Sequence, residues 1–272
     1  MAETISAARI IDSAVRKLLR DRKGEPLIVG LCGSQGSGKS TTCGELAEGW
    51  RREGLRVAVL SLDDLYLRRA ERQHLARDVH PLLATRGVPG THDVSLGIET
   101  LRALREHGPV KLPRFDKAID DRSPEMYWDE VEAPVDIILF EGWCVGALPQ
   151  DPSTLVHPIN ALESHEDADG RWRNYVNEQL QGEYQTLFAQ IDFLVLLAAP
   201  SFDVVLRWRT QQERELAQRR DGPGVMDAAA LMRFVQHYER LTRHVLDEMP
   251  GRADLVIAID ENRTVLSDSS NT

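Results

Sequence analysis

Cysteine is scarce in this chain: Cys32, Cys43 and Cys144 are the only three in 272 residues, and none forms a C-x-x-C pair. That spacing argues against a disulfide framework or a zinc site and favours a reducing compartment. Long hydrophobic runs are also missing, since no stretch approaches the ~18 apolar residues of a membrane span. The first residues lack a basic stretch followed by an apolar segment and a cleavage site, so a cytoplasmic location with no membrane partner is expected. Positive charge is in deficit, with 33 Lys and Arg against 43 Asp and Glu and a formal net charge of −10. Such a surface repels polyanions, which argues against nucleic acid as a partner. It also makes any local cluster of Lys and Arg stand out. No internal repeat and no long linker divides the chain, and its length suits one elaborated α/β domain.

What is present is punctuated by short apolar runs. Residues 26–32, 57–62, 135–140, 191–197 and 254–259 each read as a buried parallel strand. Helical patterns run between them: about 41–53, 94–107 with Asp93 or Ser95 as the cap, 171–190, a helix from about Val204, and 227–248. Ile5, Ala8, Ile11, Val15, Leu18 and Leu19 space a further helix ahead of the first strand, and the 1–25 segment is expected to dock on the domain. Residues 67–93 and 110–134 are polar excursions, 149–170 is an acidic loop, and 263–272 is expected to be a mobile tail. Strands alternating with helices predict a mainly parallel five-stranded sheet covered on both faces.

The first strand runs into Gly33, Ser34, Gln35, Gly36, Ser37, Gly38, Lys39 and Ser40, the pattern G-x-x-x-x-G-K-[S/T], and Thr41 opens the helix behind it. The glycines allow a tight backbone path whose N–H groups converge on phosphate oxygens at a helix N-terminus. Lys39 is placed for the β- and γ-phosphates and the Ser40 hydroxyl for Mg²⁺. The chain is therefore expected to be a phosphate-loop NTPase, a three-layer α/β/α fold that binds ATP with Mg²⁺. Only the other strand ends separate a kinase from a switch or a motor. Glu141 follows the third strand and suits the acid that positions Mg²⁺ or its water. Asp63 and Asp64 follow the second, where one carboxylate would orient an acceptor hydroxyl and take its proton while the other serves the metal. Which does which stays open on these residues alone.

The excursions carry His80, Arg86, His92, Arg114, Lys117 and Arg122. In an acidic chain this group predicts a receptor for a small anionic acceptor such as a carboxylate or phosphate. A second basic set, Arg207, Arg209, Arg214, Arg219 and Arg220, lies in a predicted lid region at 204–226. From this set an arginine is expected to close over the transferring phosphate. Trp143 and Trp208 are candidates to line the site, though each also suits packing. The D-x-x-G letters at Asp221–Gly224 fall after the wrong strand for a guanine-nucleotide switch. No N/T-K-x-D motif and no Cys/His metal cluster accompany them.

Taken together, these stretches resemble the D-glycerate 3-kinase family of plants and fungi and its bacterial relatives. That family is grouped with uridine kinase, phosphoribulokinase and bacterial pantothenate kinase. The resemblance covers about 26–262 and rests on Gly33–Thr41, Ser61–Tyr66, Arg86–Asp93, Leu112–Lys117, Asp121-Arg122 and Phe140–Trp143. Trp208–Glu213 and Gly224–Met226 extend it. It implies transfer of the ATP γ-phosphate to the 3-hydroxyl of D-glycerate. It also implies Asp63 as base and metal neighbour, with Asp64 and Arg209 in the catalytic group. Tyr66 and Asp93 join the basic residues on the acceptor. Leu65 in place of the more usual Phe, and Ala118 where Ser is common, depart from the pattern. A nucleoside, pantothenate or another small alcohol is the alternative acceptor, and a nucleotide-driven switch the alternative class.

Overall fold

The computed structural model describes residues 6–22, 24–219 and 228–266. Its centre is β1 (Leu27–Gly33), in which all seven residues are buried because sheet neighbours and helices enclose both faces. The other strands of the sheet are β2 (Val57–Ser61), β7 (Ile137–Gly142), β8 (Phe193–Ala198) and β9 (Leu255–Ala258). They lie parallel in the order β2-β7-β1-β8-β9. Apolar strand runs therefore became a parallel sheet, as their composition predicts. β7, which carries Glu141, sits between β2 and β1, so the end of β2 before Asp63 lies one strand away from the phosphate loop.

Alternation within the strands divides the core into two layers. Val29, Leu31, Leu139, Val195 and Ile257 face α1 (Ala7–Asp21), α2 (Lys39–Arg52) and α8 (Phe202–Arg219), through Ile11, Val15, Trp50 and Trp208. Ile28, Leu60, Ile138, Phe140 and Leu196 face α4 (Val94–Ala103), α7 (Glu183–Phe188) and α9 (Ala228–Glu248), through Leu101, Leu187, Tyr238 and Val245. The predicted docking helix is α1, tied down where Trp50 donates to Asp12 at 2.6 Å. Among the described residues no helix is long and apolar enough to cross a membrane.

Some expectations shift. The first excursion contains α3 (Arg69–Asp78), whose polar sequence hides it from a periodicity reading. The second holds two small antiparallel pairs. These are β3 (Gly108–Leu112) with β6 (Asp129–Ala133), and β4 (Phe115–Asp116) with β5 (Asp121–Arg122). The acidic loop folds α5 (Ala161–Glu166), and the helix expected over 171–190 breaks at Gly182 into α6 (Arg171–Gln181) and α7. Residues 263–266, expected in a mobile tail, instead turn back: Val265 bridges to Ile259, and Arg263 Nε donates to Gly36 O at 2.5 Å. The remainder of that tail, the side chains of Arg214 and Arg219, and residues 220–227 lie outside the described residues.

Candidate active site

The phosphate loop leaves β1 in a path that needs glycine. Gly36 (φ +80°) and Gly38 (φ +94°) occupy the left-handed region, and a Cβ at Gly36 would lie 2.7 Å from Trp208 Cβ. Lys39 is 9% exposed, and its ammonium donates to Ser34 O at 3.1 Å, which folds the side chain back over the loop. Register then assembles the acid side. Ser61 and Leu31 both pair with Glu141 across the sheet. The Ser40 hydroxyl donates to Glu141 Oε1 at 3.0 Å and the Ser61 hydroxyl at 2.9 Å. This carboxylate is buried among hydroxyls, a set of hard oxygen donors of the kind Mg²⁺ prefers. Ser40 and Glu141 thus fit a metal.

Beyond β2 the chain tightens into a short turn, and Asp63 and Asp64 part company. Asp63 faces the cleft, one third exposed, taking Tyr66 Oη on Oδ1 at 2.8 Å and Lys117 Nζ on Oδ2 at 2.6 Å. Burial works against its charge, but Lys117, the Tyr66 hydroxyl and Lys39 outweigh it and hold the carboxyl down to about 2. Asp64 turns away. It accepts the Phe115 N–H at 3.0 Å and Arg114 Nη1 at 3.1 Å, and burial raises its pKa. Its position is that of a brace for the 112–116 segment, not of a second cleft acid.

The cleft between loop and excursions encloses about 220 Å³ and is lined by Lys39, Ser40, Asp63, Glu141, Arg86 and Lys117. Tyr66, Trp143 and Arg209 also line it, as do Phe234 and Tyr238 of α9, which the sequence reading missed. Arg209 lies over the Phe234 ring at 5.6 Å. Tyr238 fills the space that any side chain at Gly87 (φ +139°) would need, and donates to Arg86 O at 3.0 Å. The apolar periodicity of α9 reads as core, so nothing local marks its cleft-facing residues.

Several predicted acceptor residues are instead braces. His80 accepts the Leu82 N–H and lies 4.0 Å from Asp167, away from the cleft. Arg114 is committed to Asp64 and Asp129. Asp93 caps α4 through Leu96 N and pairs with Arg122 at 2.9 Å, while Arg122 also donates to Tyr66 O. His92 is 5% exposed and stacks on Tyr66. Arg86 does reach the cleft, paired with Asp120, a residue also held at 2.9 Å by the buried Arg72. Arg72 bridges the two excursions and carried no sequence signal. All three cysteines are buried, and burial pushes the Cys32 thiol up to about 12, which suits packing rather than redox chemistry.

Two buried histidines outside the cleft lining carry a measurable consequence. Burial drives His92 down to about 3 and His237 to about 4. Both fold neutral, whereas in the unfolded chain they titrate near ~6.5. Their contribution is therefore complete above that value and is lost as pH falls toward the folded pKa values, by ~1.4 kcal/mol per pH unit for each histidine. Urea midpoints should fall between pH 7 and pH 5. His237→Phe should flatten the histidine-dependent slope, to which the partly buried His244 also contributes; identical slopes in the two proteins would contradict this.

Comparison with known proteins sets this geometry in context. A family model described as methylmalonyl Co-A mutase-associated GTPase MeaB matches residues 3–66, a stretch that holds the phosphate loop and stops short of Arg86 and Lys117. The uncharacterized kinase mug58 of Schizosaccharomyces pombe is 34% identical over 95% of this chain and 98% of its own length. The chloroplastic D-glycerate 3-kinase of Arabidopsis thaliana is 35% identical over 88% of this chain, which spans 53% of that longer protein. Among solved structures, a D-glycerate 3-kinase from Cryptococcus neoformans superposes with a TM-score of 0.77, at 26% identity and 96% coverage of both chains.

Proposed function

Because the chain belongs to the D-glycerate 3-kinase family of phosphate-loop kinases, we propose that it transfers the γ-phosphate of Mg-ATP to the 3-hydroxyl of D-glycerate. It is a phosphotransferase with an alcohol acceptor; the acceptor, the nucleotide and the residue roles are our reading. The single observation that carries it is the facing of Lys39, Ser40 and Glu141 on one side of the cleft by Asp63, Arg86 and Lys117 on the other. Phosphate-binding groups and an acid with two cations thus share one cavity small enough for a three-carbon acid.

In this reading the loop N–H groups and Lys39 hold the β- and γ-phosphates, and Arg209 neutralises charge on the moving group. Ser40 and Glu141 hold Mg²⁺, which supplies charge stabilisation on the phosphate oxygens when bound. The adjoining cleft of about 410 Å³ beside Gly38 and Thr41, bounded by Ala8 and Thr264, offers room for the nucleoside. Asp63 has lone pairs left after Tyr66 and Lys117 are satisfied, and directs them at the acceptor hydroxyl. As the oxygen attacks phosphorus, its O–H proton passes to Asp63, the new O–P bond forms, and the β–γ bridge breaks to leave ADP. A carboxylate held down to about 2 is a weak base, which suits orientation with late proton transfer in a loose transition state. Arg86 and Lys117 receive the acceptor carboxylate. The buried thiols suit a cytoplasmic setting.

The test is a coupled ADP-release assay with Mg-ATP against D-glycerate, L-glycerate, uridine, cytidine and pantothenate, with a no-acceptor control. D-Glycerate should give the fastest turnover. Equal rates with and without it would overturn the acceptor.

A further inference from the structure

The Gly90–Asp93 stretch lines none of the cleft, yet it converges on Tyr66. Leu67 N donates to Thr91 O at 2.9 Å and Asp93 N to Leu65 O at 2.7 Å, which clasps Tyr66 and His92 in an antiparallel bridge. The two rings then stack with centroids 4.6 Å apart and planes 24° from parallel. Tyr66 also meets the Phe115 ring edge-on at 5.2 Å. Behind His92, the Tyr184 hydroxyl accepts the Gly90 N–H at 3.0 Å and is hydrogen-bonded to His92 Nδ1 at 2.6 Å. Tyr66, His92 and Tyr184 are each at most 5% exposed.

A carboxylate turns readily about its terminal bond, so its direction is set by its partners. Asp63 has two. Lys117 is 60% exposed on a flexible stem and makes a poor fixed point. Tyr66 is buried and packed against the His92 and Phe115 rings, and its hydroxyl is the fixed one. We infer that His92 and Tyr184 are positioning residues, which hold the Tyr66 hydroxyl on Asp63 and so aim that carboxylate at the acceptor. The neutrality of His92, kept by burial, suits this place, because a cation there would compete with Tyr66 and Lys117 for the same acid. The inference rests on Asp63 as the acceptor-side carboxylate of the proposed reaction.

A double-mutant cycle tests it. His92→Ala is expected to lower kcat roughly 10- to 100-fold, the scale of a misplaced reacting group, with KM for ATP unchanged. His92→Phe keeps a ring on Tyr66 but gives up the Tyr184 hydrogen bond, and should restore only part of the rate. Tyr66→Phe alone should cost about as much as His92→Ala, and the double variant no more than either single one. Losses that multiply, or a His92→Ala enzyme with wild-type kcat, would overturn the assignment. A second measurement is independent of the acceptor: crystal structures of His92→Ala and of Tyr184→Phe, the latter leaving His92 in place and removing a single oxygen. Both are expected to show Tyr66 Oη off Asp63 Oδ1. An unchanged contact in both would overturn the inference even if D-glycerate is the acceptor, and a displaced one supports it even if another alcohol is.

Discussion

Asp63→Asn is expected to lower kcat by roughly 10²- to 10⁴-fold, with Mg-ATP binding intact. The amide keeps the shape of the side chain and can still accept from Tyr66 or Lys117, but not both without turning an NH₂ toward a donor. It also loses the ability to take the acceptor's proton. Isothermal titration with a non-hydrolysable ATP analogue should give a dissociation constant near that of wild type. Asp64→Asn provides the contrast. Asp64 is engaged by the Phe115 N–H and Arg114, so its loss should loosen the 112–116 segment and lower thermal stability more than it lowers kcat. An inactive Asp64→Asn beside an active Asp63→Asn would show that the pair is assigned the wrong way round.

The second large effect is expected on the donor side. Glu141→Gln should reduce kcat by about 10²- to 10³-fold, the range seen when one preorganised electrostatic partner is removed, and should raise the Mg²⁺ concentration needed for half-maximal rate. Glutamine can still accept from Ser40 and Ser61 through its remaining oxygen. Packing should therefore survive, and the loss would report the missing charge. A magnesium titration of initial rates separates this from a folding defect, because misfolding lowers the plateau without moving the midpoint. An unchanged midpoint would remove Glu141 from the metal site.

Much of the scaffold was legible from the sequence because its signals are local. Parallel strands buried on both faces read as apolar runs, and the phosphate loop is one contiguous motif that only glycines can trace. Acids at strand ends were visible for the same reason. The acceptor side was only partly legible. A basic residue in a polar segment looks alike whether it faces a cleft or a distant carboxylate. Arg86 and Lys117 reach the cavity, while Arg114 and Arg122 are engaged by Asp129 and Asp93. His80 and His92 gave the same letter but turn to a helix cap and to a buried stack. Tyr238 and Phe234 went unnoticed because a helix face that lines a cavity repeats with the same period as one that packs a core. The Gly90–Asp93 residues pack against Tyr66 and cap α4 rather than lining the cavity.

The most direct test of the account is the identity of the product formed from D-glycerate and Mg-ATP, followed by ³¹P NMR. The account predicts ADP and glycerate phosphorylated at the 3-oxygen in equal amounts, with no product from the Asp63→Asn enzyme on the same timescale. Inorganic phosphate at the same rate with and without D-glycerate, or phosphate on the 2-oxygen, would contradict it.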